Sequence, residues 1–281
     1  MDNEIAESLA YSSNALVVAP AGYGKTHTIA ASVNYCEGRQ LILTHTHAGV
    51  HAIKKHLKQR NVPAGKYCVT TIHSFALKYA ASFPTISGWT ESKPTKDEWK
   101  QVCPASCKAI EAKAVKKIIT NSFSGVYIDE YQDCSIDQHE LVVLLADYLP
   151  CRIVGDPLQA IFGEVNKENS LEWSLVTEKF NTIAELPTPW RWKNKNAELG
   201  EWLSTVRAKI LDGDNIDLST GPIKLVRDTT QPAQINACFN AIGGIEESTA
   251  AIRKWGNQCH QIARSLNNAY CSMETIECSD L

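Results

Sequence analysis

The sequence predicts an α/β fold in which a parallel sheet is covered by helices on both faces. Three observations carry that expectation. Short β-type runs recur at Leu16–Ala19, Leu41–Thr44, Tyr67–Thr71, Val126–Asp129, Arg152–Gly155 and Thr182–Leu186. Helix-like stretches separate several of them, as parallel strands require for their crossovers. A glycine-rich turn joins the first run to the first such helix. The 281 residues, 44% of them hydrophobic, suffice to bury a large core, and the length allows one to two domains.

The first run, "ALVVA", leads into "PAGYGKTHT", so that Ala19–Thr26 fits the phosphate-binding pattern G-x-x-x-x-G-K-[ST], with Ala19 at its first glycine. Gly22 and Gly24 let the backbone turn with positive φ and approach phosphate oxygens that a Cβ would obstruct. Lys25 is expected to reach the β- and γ-phosphates, and Thr26 to ligate Mg²⁺ at the N-terminus of the helix "THTIAASVNYC". The nucleotide-binding set is therefore Ala19, Gly22, Tyr23, Gly24, Lys25, Thr26 and His27, for ATP with Mg²⁺. "AGVHAIKKHLKQR" carries apolar residues at Val50, Ile53 and Leu57, the spacing of a helix face. Residues from about 79 to 124 break the rhythm with "FPTISGWTESKPTKDEW" and a Lys-rich stretch, which predicts a small, mainly helical insertion off the core sheet.

The fourth run delivers Asp129 and Glu130 at its C-terminal end, the edge where α/β sheets place ligands. Asp129 is expected to hold Mg²⁺, and Glu130 to orient or deprotonate the attacking water. The next helix begins with a Ser-x-x-Gln capping signal in "SIDQHELVVLLADYL".

The totals exclude other classes. A formal charge of −3 gives no global attraction to nucleic acid. No apolar run reaches spanning length, and the start "MDNEIAESLA" lacks the positive region of a signal peptide, so a cytoplasmic location and no membrane partner are expected. Ten cysteines without framework spacing read as reduced thiols. Cys103 and Cys107 form the one close pair, open to zinc or to an ordinary helix or loop.

Read together, the motifs resemble those of superfamily 1 helicases of the UvrD/Rep/PcrA type. "DEYQD" looks like the DExQD form of their motif II. "LILTHTHAGVHAI" resembles motif Ia, which in the family faces single-stranded DNA, and "VTTIHSFALK" the motif that follows it. "IVGDPLQAIFG" is similar to motif III, which implies that Gln159 contacts the γ-phosphate and attacking water. "LPTPWRW" resembles motif IV, which implies that Trp190 stacks on adenine and Arg191 meets the γ-phosphate. The other reading of Trp190 is a core tryptophan of the second domain. The resemblance implies two RecA-like domains: a first ATPase domain at 1–180, and part of a second at 181–281. An arginine from the second domain would reach the ATP on domain closure. Lys25, Glu130, Gln159 and Arg191 are the implied catalytic residues.

The nucleic-acid side departs from the family. Implied contacts to single-stranded DNA fall to His45, His47, His73 and Phe162, and the sequence does not separate DNA from RNA. His45 stands where the family usually has Phe, and "GEV" replaces a Trp and Arg after motif III. His45, His47 and His51 are open to metal binding or to polar contacts on a turn and helix surface. Motifs V and VI are not found, which implies a fragment or an incomplete motor. "GPIKLVRDTTQPAQINACFNAIGG" reads as a strand and helix, and "ESTAAIRKWGNQCHQIARSLNNAYC" as a helix. The expectation is an ATP-dependent helicase motor domain coupling Mg-ATP hydrolysis to movement on single strands. The alternative is a nucleotide-dependent switch or scaffold that regulates a partner such as a nuclease.

Overall fold

The computed structural model describes residues 2–160, 171–223, 230–242 and 256–266. By its contacts the chain divides into two units, Met1–Ser204 and Thr205–Leu281. The first unit begins with α1 (Asp2–Tyr11), β1 (Ala15–Val18), α2 (Lys25–Tyr35), β2 (Gln40–Thr44), α3 (His47–Gln59), β3 (Tyr67–Thr71), α4 (Ile72–Ser82) and α5 (Pro84–Ser87). It continues with α6 (Trp99–Glu111), α7 (Lys113–Ser122), β4 (Gly125–Ile128), α8 (Ile136–Ala146), β5 (Cys151–Gly155), α9 (Trp173–Lys179), β6 (Asn181–Glu185) and α10 (Trp190–Lys193). Helix α11 (Ala197–Asp212) starts in this unit and ends in the next.

The six strands form one sheet in the order β3-β2-β4-β5-β1-β6, and every pairing is parallel. Successive side chains of a strand point to opposite faces, and the sequence alternates between two cores accordingly. Leu16, Leu41, Leu43, Val126, Ile128 and Ile153 face one core with residues of α4, α6, α7 and α8. Ala15, Val17, Ile42, Tyr127 and Val154 face the other, with residues of α1, α2 and α3. Burying such side chains contributes about 1.5–3 kcal/mol each, so both faces are specified. This is the parallel sheet, covered on both sides, of a P-loop NTPase.

One expectation is corrected. The stretch 79–124 is mainly helical but does not sit off the sheet. Val102, Cys103, Ala105 and Ile110 of α6, with Val115 and Ile119 of α7, are buried in the first core. Cys103 and Cys107 lie on α6, where burial pushes each thiol up to about 12. The run expected at Thr182–Leu186 is the edge strand β6, mostly exposed and paired with β1, and by contacts the first unit runs to Ser204.

In the second unit the described residues hold the end of α11, then α12 (Gln231–Ile242) and α13 (Gly256–Ser265). The strand expected near residue 224 lies outside the described residues. No described helix is long and apolar enough to cross a membrane.

Candidate nucleotide-binding site

The loop after β1 turns as its glycines allow. Gly22 has φ 84° and Gly24 φ 94°, the left-handed region that L side chains rarely adopt. A Cβ at Gly22 would also lie 2.8 Å from Cβ of Arg191. Gly24 is the N-cap of α2 and contributes no side-chain cap. The first-turn N–H groups are thereby left to an anion, where the helix dipole favours negative charge. Lys25 and Thr26 open the helix.

Strand β4 brings two carboxylates to the same edge. Thr26 Oγ1 donates to Asp129 Oδ2 at 2.9 Å, and the Glu130 N–H donates to Asp129 Oδ1 at 3.1 Å. Burial, with the Glu130 charge next, pushes Asp129 up to about 6. A buried carboxylate short of positive charge beside a hydroxyl is the donor set a divalent cation takes. Thr26 and Asp129 thus fit Mg²⁺. No group of three or more His, Cys, Asp or Glu among the described residues could hold a metal on its own. Glu130 itself has φ 56° and ψ 49°, an uncommon conformation for a non-glycine residue that clusters at functional sites.

The carboxylate of Glu130 is tied to the neighbouring strand ends. Its Oε2 lies 2.9 Å from Lys25 Nζ and accepts from Gln132 Nε2 at 2.8 Å. Gln132 in turn accepts the Asp156 N–H at 3.0 Å through Oε1. Asp156 follows β5 and holds the single turn at Pro157–Gln159, accepting from the Leu158 N–H at 3.1 Å and from Gln159 Nε2 at 2.5 Å. Gln159 Oε1 then accepts from Lys25 Nζ at 3.2 Å. Because β5 lies between β1 and β4, its turn is delivered between the loop lysine and the carboxylate pair.

A cavity of about 580 Å³ opens at the loop, its lining including Gly22, Gly24, Lys25, Thr26, His27, His56, Glu130, Gln159, Trp190 and Arg191. The Arg191 N–H donates to the Gly22 carbonyl at 3.0 Å. Trp190 is 47% exposed, so it is a cavity wall and not a core residue. Both belong to the first unit. The arginine expected to arrive from a second domain lies beside the loop. His27 Nε2 lies 2.7 Å from Arg60 Nη2, and since arginine only donates, that nitrogen accepts.

Two members of the expected nucleotide set are placed elsewhere. Ala19 and Tyr23 are buried in the core beneath the loop, and the Tyr23 hydroxyl is 2.5 Å from Ser204 Oγ. On the nucleic-acid side, His45 Nε2 lies 3.7 Å from Cys134 Sγ, and burial lowers its pKa to about 4. His73 packs edge-on to Trp99 with ring centroids 5.3 Å apart, and burial also lowers its pKa. Both are neutral at pH 7 and offer a phosphate backbone no charge. His47 is exposed at the start of α3, and Phe162 lies outside the described residues.

The sequence reading gave no role to Gln132, Asp156 or His56. The first two stand inside quoted motifs, where their spacing held the signal. His56 approaches the cavity only because α3 packs beside α2, and no local pattern announces that.

A family model described as AAA domain matches residues 2–164, more than half of the chain. The chain belongs to the AAA domain family. No curated protein matches it. Among solved structures, this AAA domain chain is similar to the Pif1 helicase from Candida albicans, at 15% identity over 94% of this chain and 60% of that one, with a TM-score of 0.47. A Pif1 helicase from Bacteroides in complex with ADP-AlF3 and ssDNA gives 12% identity, 88% and 57% coverage and a TM-score of 0.41. An arterivirus nonstructural protein 10 (helicase) with DNA gives 14%, 66%, 37% and 0.35 in the same order. The AAA domain chain spans 37% to 60% of the length of these three.

Proposed function

We propose that the chain is the ATP-binding and ATP-hydrolysing motor domain of a superfamily 1 helicase of UvrD-like kind, acting on single-stranded nucleic acid. The observation that carries this reading is the convergence of Lys25, Thr26, Glu130, Gln159 and Arg191 on one cavity, with the buried Asp129 hydrogen-bonded to Thr26. Phosphoryl transfer needs positioning and charge neutralisation more than covalent chemistry, and this set supplies both. Lys25 leaves Glu130 to meet the β- and γ-phosphates. Glu130 takes the proton of a water that Gln159 orients, and Arg191 neutralises charge that develops on the transferred group. Trp190 stacks against the base.

Thr26 and Asp129 would hold Mg²⁺, which when bound supplies charge neutralisation on the phosphates. A cytoplasmic setting suits a cysteine-rich chain whose described cysteines are all free thiols. The second reading, a nucleotide-dependent switch acting on a partner such as a nuclease, is favoured by the inward placement of His45 and His73.

ATP turnover measured with and without single-stranded DNA divides the two. At least a measurable stimulation is the motor result, and turnover indifferent to the strand is the switch result. Lys25→Ala tests the site common to both. Losing charge-assisted bonds of about 1.5–3 kcal/mol should weaken nucleotide binding about ten- to a hundredfold. Unchanged affinity and turnover would end the nucleotide reading.

A further inference from the structure

We infer that Gln132 is a positioning residue for hydrolysis, holding the Glu130 carboxylate in register with the turn that carries Gln159. This rests on the reading of Glu130 as the base. Glu130 Oε2 meets Lys25 Nζ at 2.9 Å and Gln132 Nε2 at 2.8 Å. As Lys25 turns to the phosphates in the proposed reaction, the amide of Gln132 is the partner that retains the carboxylate.

The direction of the amide is fixed. Its Oε1 accepts the backbone N–H of Asp156 at 3.0 Å, which leaves Nε2 to face Glu130. The side chain is buried, 8% exposed, and the space around it is closed: a Cβ on Gly155 would come 3.0 Å from Gln132 Oε1. Asp156 meanwhile fixes Gln159 through its own carboxylate. One frame, Gln132 to Asp156, therefore sets the distance between the group that takes the proton and the group that orients the water. Effects of misplacing such groups by about 1 Å reach about a hundredfold in rate.

The test uses Gln132→Leu and Gln132→Glu in the full chain, alongside Glu130→Gln, with fluorescent ATP-analogue binding and steady-state ATP turnover. Leu keeps the volume but drops both hydrogen bonds. Glu keeps the acceptor for Asp156 and turns a second carboxylate on Glu130, so it decides the matter if the Leu variant fails to fold. The expected result is kcat lowered about tenfold or more in each folded variant, with analogue affinity and KM within about twofold of wild type. Adding Gln132→Leu to Glu130→Gln should cost nothing further, because the group being positioned is already disabled. Wild-type kcat in Gln132→Glu, or equal losses in affinity and kcat, would overturn the inference while leaving the base in place. Full turnover in Glu130→Gln would instead remove the base reading itself.

Discussion

Asp129 shows how a single buried group sets a pH dependence. Its folded-state pKa, raised to about 6 mainly by burial, lies above the unfolded value of 3.8. Between those two values the folded state binds more protons than the unfolded one, so stability falls as pH rises through that window. Below about 4 both states are protonated and the penalty vanishes. In metal-free protein, Asp129→Asn should therefore raise Tm at pH 7, where it relieves a charge penalty on the order of 3 kcal/mol, and do little at pH 4. The Thr26 hydroxyl can turn to accept from the new amide. Thermal unfolding across pH 4–8 checks this, and a difference between variant and wild type that does not change with pH would contradict it. The neighbouring Asp133, also raised to about 6 chiefly by burial, pulls the wild-type profile the same way.

At the scale of elements, helix α8 illustrates what local sequence specifies. Ser135 accepts the Gln138 N–H at 3.3 Å, and Gln138 Oε1 accepts the Ser135 N–H at 3.0 Å, the reciprocal pair that its Ser-x-x-Gln spacing announces. Ser135→Ala should lower unfolding free energy by about 1 kcal/mol, read by urea titration, with nucleotide affinity unaltered. A loss of affinity equal to the loss of stability would show that α8 supports the site more directly than its cap implies. The buried strands were legible for a similar reason: a parallel sheet covered on both faces demands unbroken apolar runs, as in Leu41–Thr44 and Val126–Ile128.

Packing that depends on tertiary context was not legible. Helix α6, within the stretch expected to be helical, contains Pro104 and follows a Pro- and Thr-rich approach, and nothing local announces that Val102 and Ile110 are buried in the first core. The loop, the carboxylate pair and Gln159 were legible because each sits within a few residues of a strand end. The Gln132–Asp156 bridge joins two strand ends 24 residues apart, and only strand order brings those together.

For the whole molecule, the completeness of the nucleotide site contrasts with what surrounds it. Groups that would neutralise and position a triphosphate lie within the first unit, whereas His45 and His73 are neutral and turned into the protein. Holding a single strand takes cationic contacts and stacked aromatics. ATP binding with slow turnover and weak strand stimulation is the expected behaviour. A fluorescence strand-separation assay on the 281-residue chain should show no processive unwinding, and robust unwinding would contradict the weak grip deduced from those histidines. The central claim, that this cavity hydrolyses ATP, is tested most directly by phosphate release from Mg-ATP by wild type and Glu130→Gln side by side, with nucleotide binding measured on both. The account predicts that both bind ATP equally while the variant releases phosphate about a hundredfold more slowly or worse. Equal phosphate release by the two proteins, or no ATP bound by either, would contradict it.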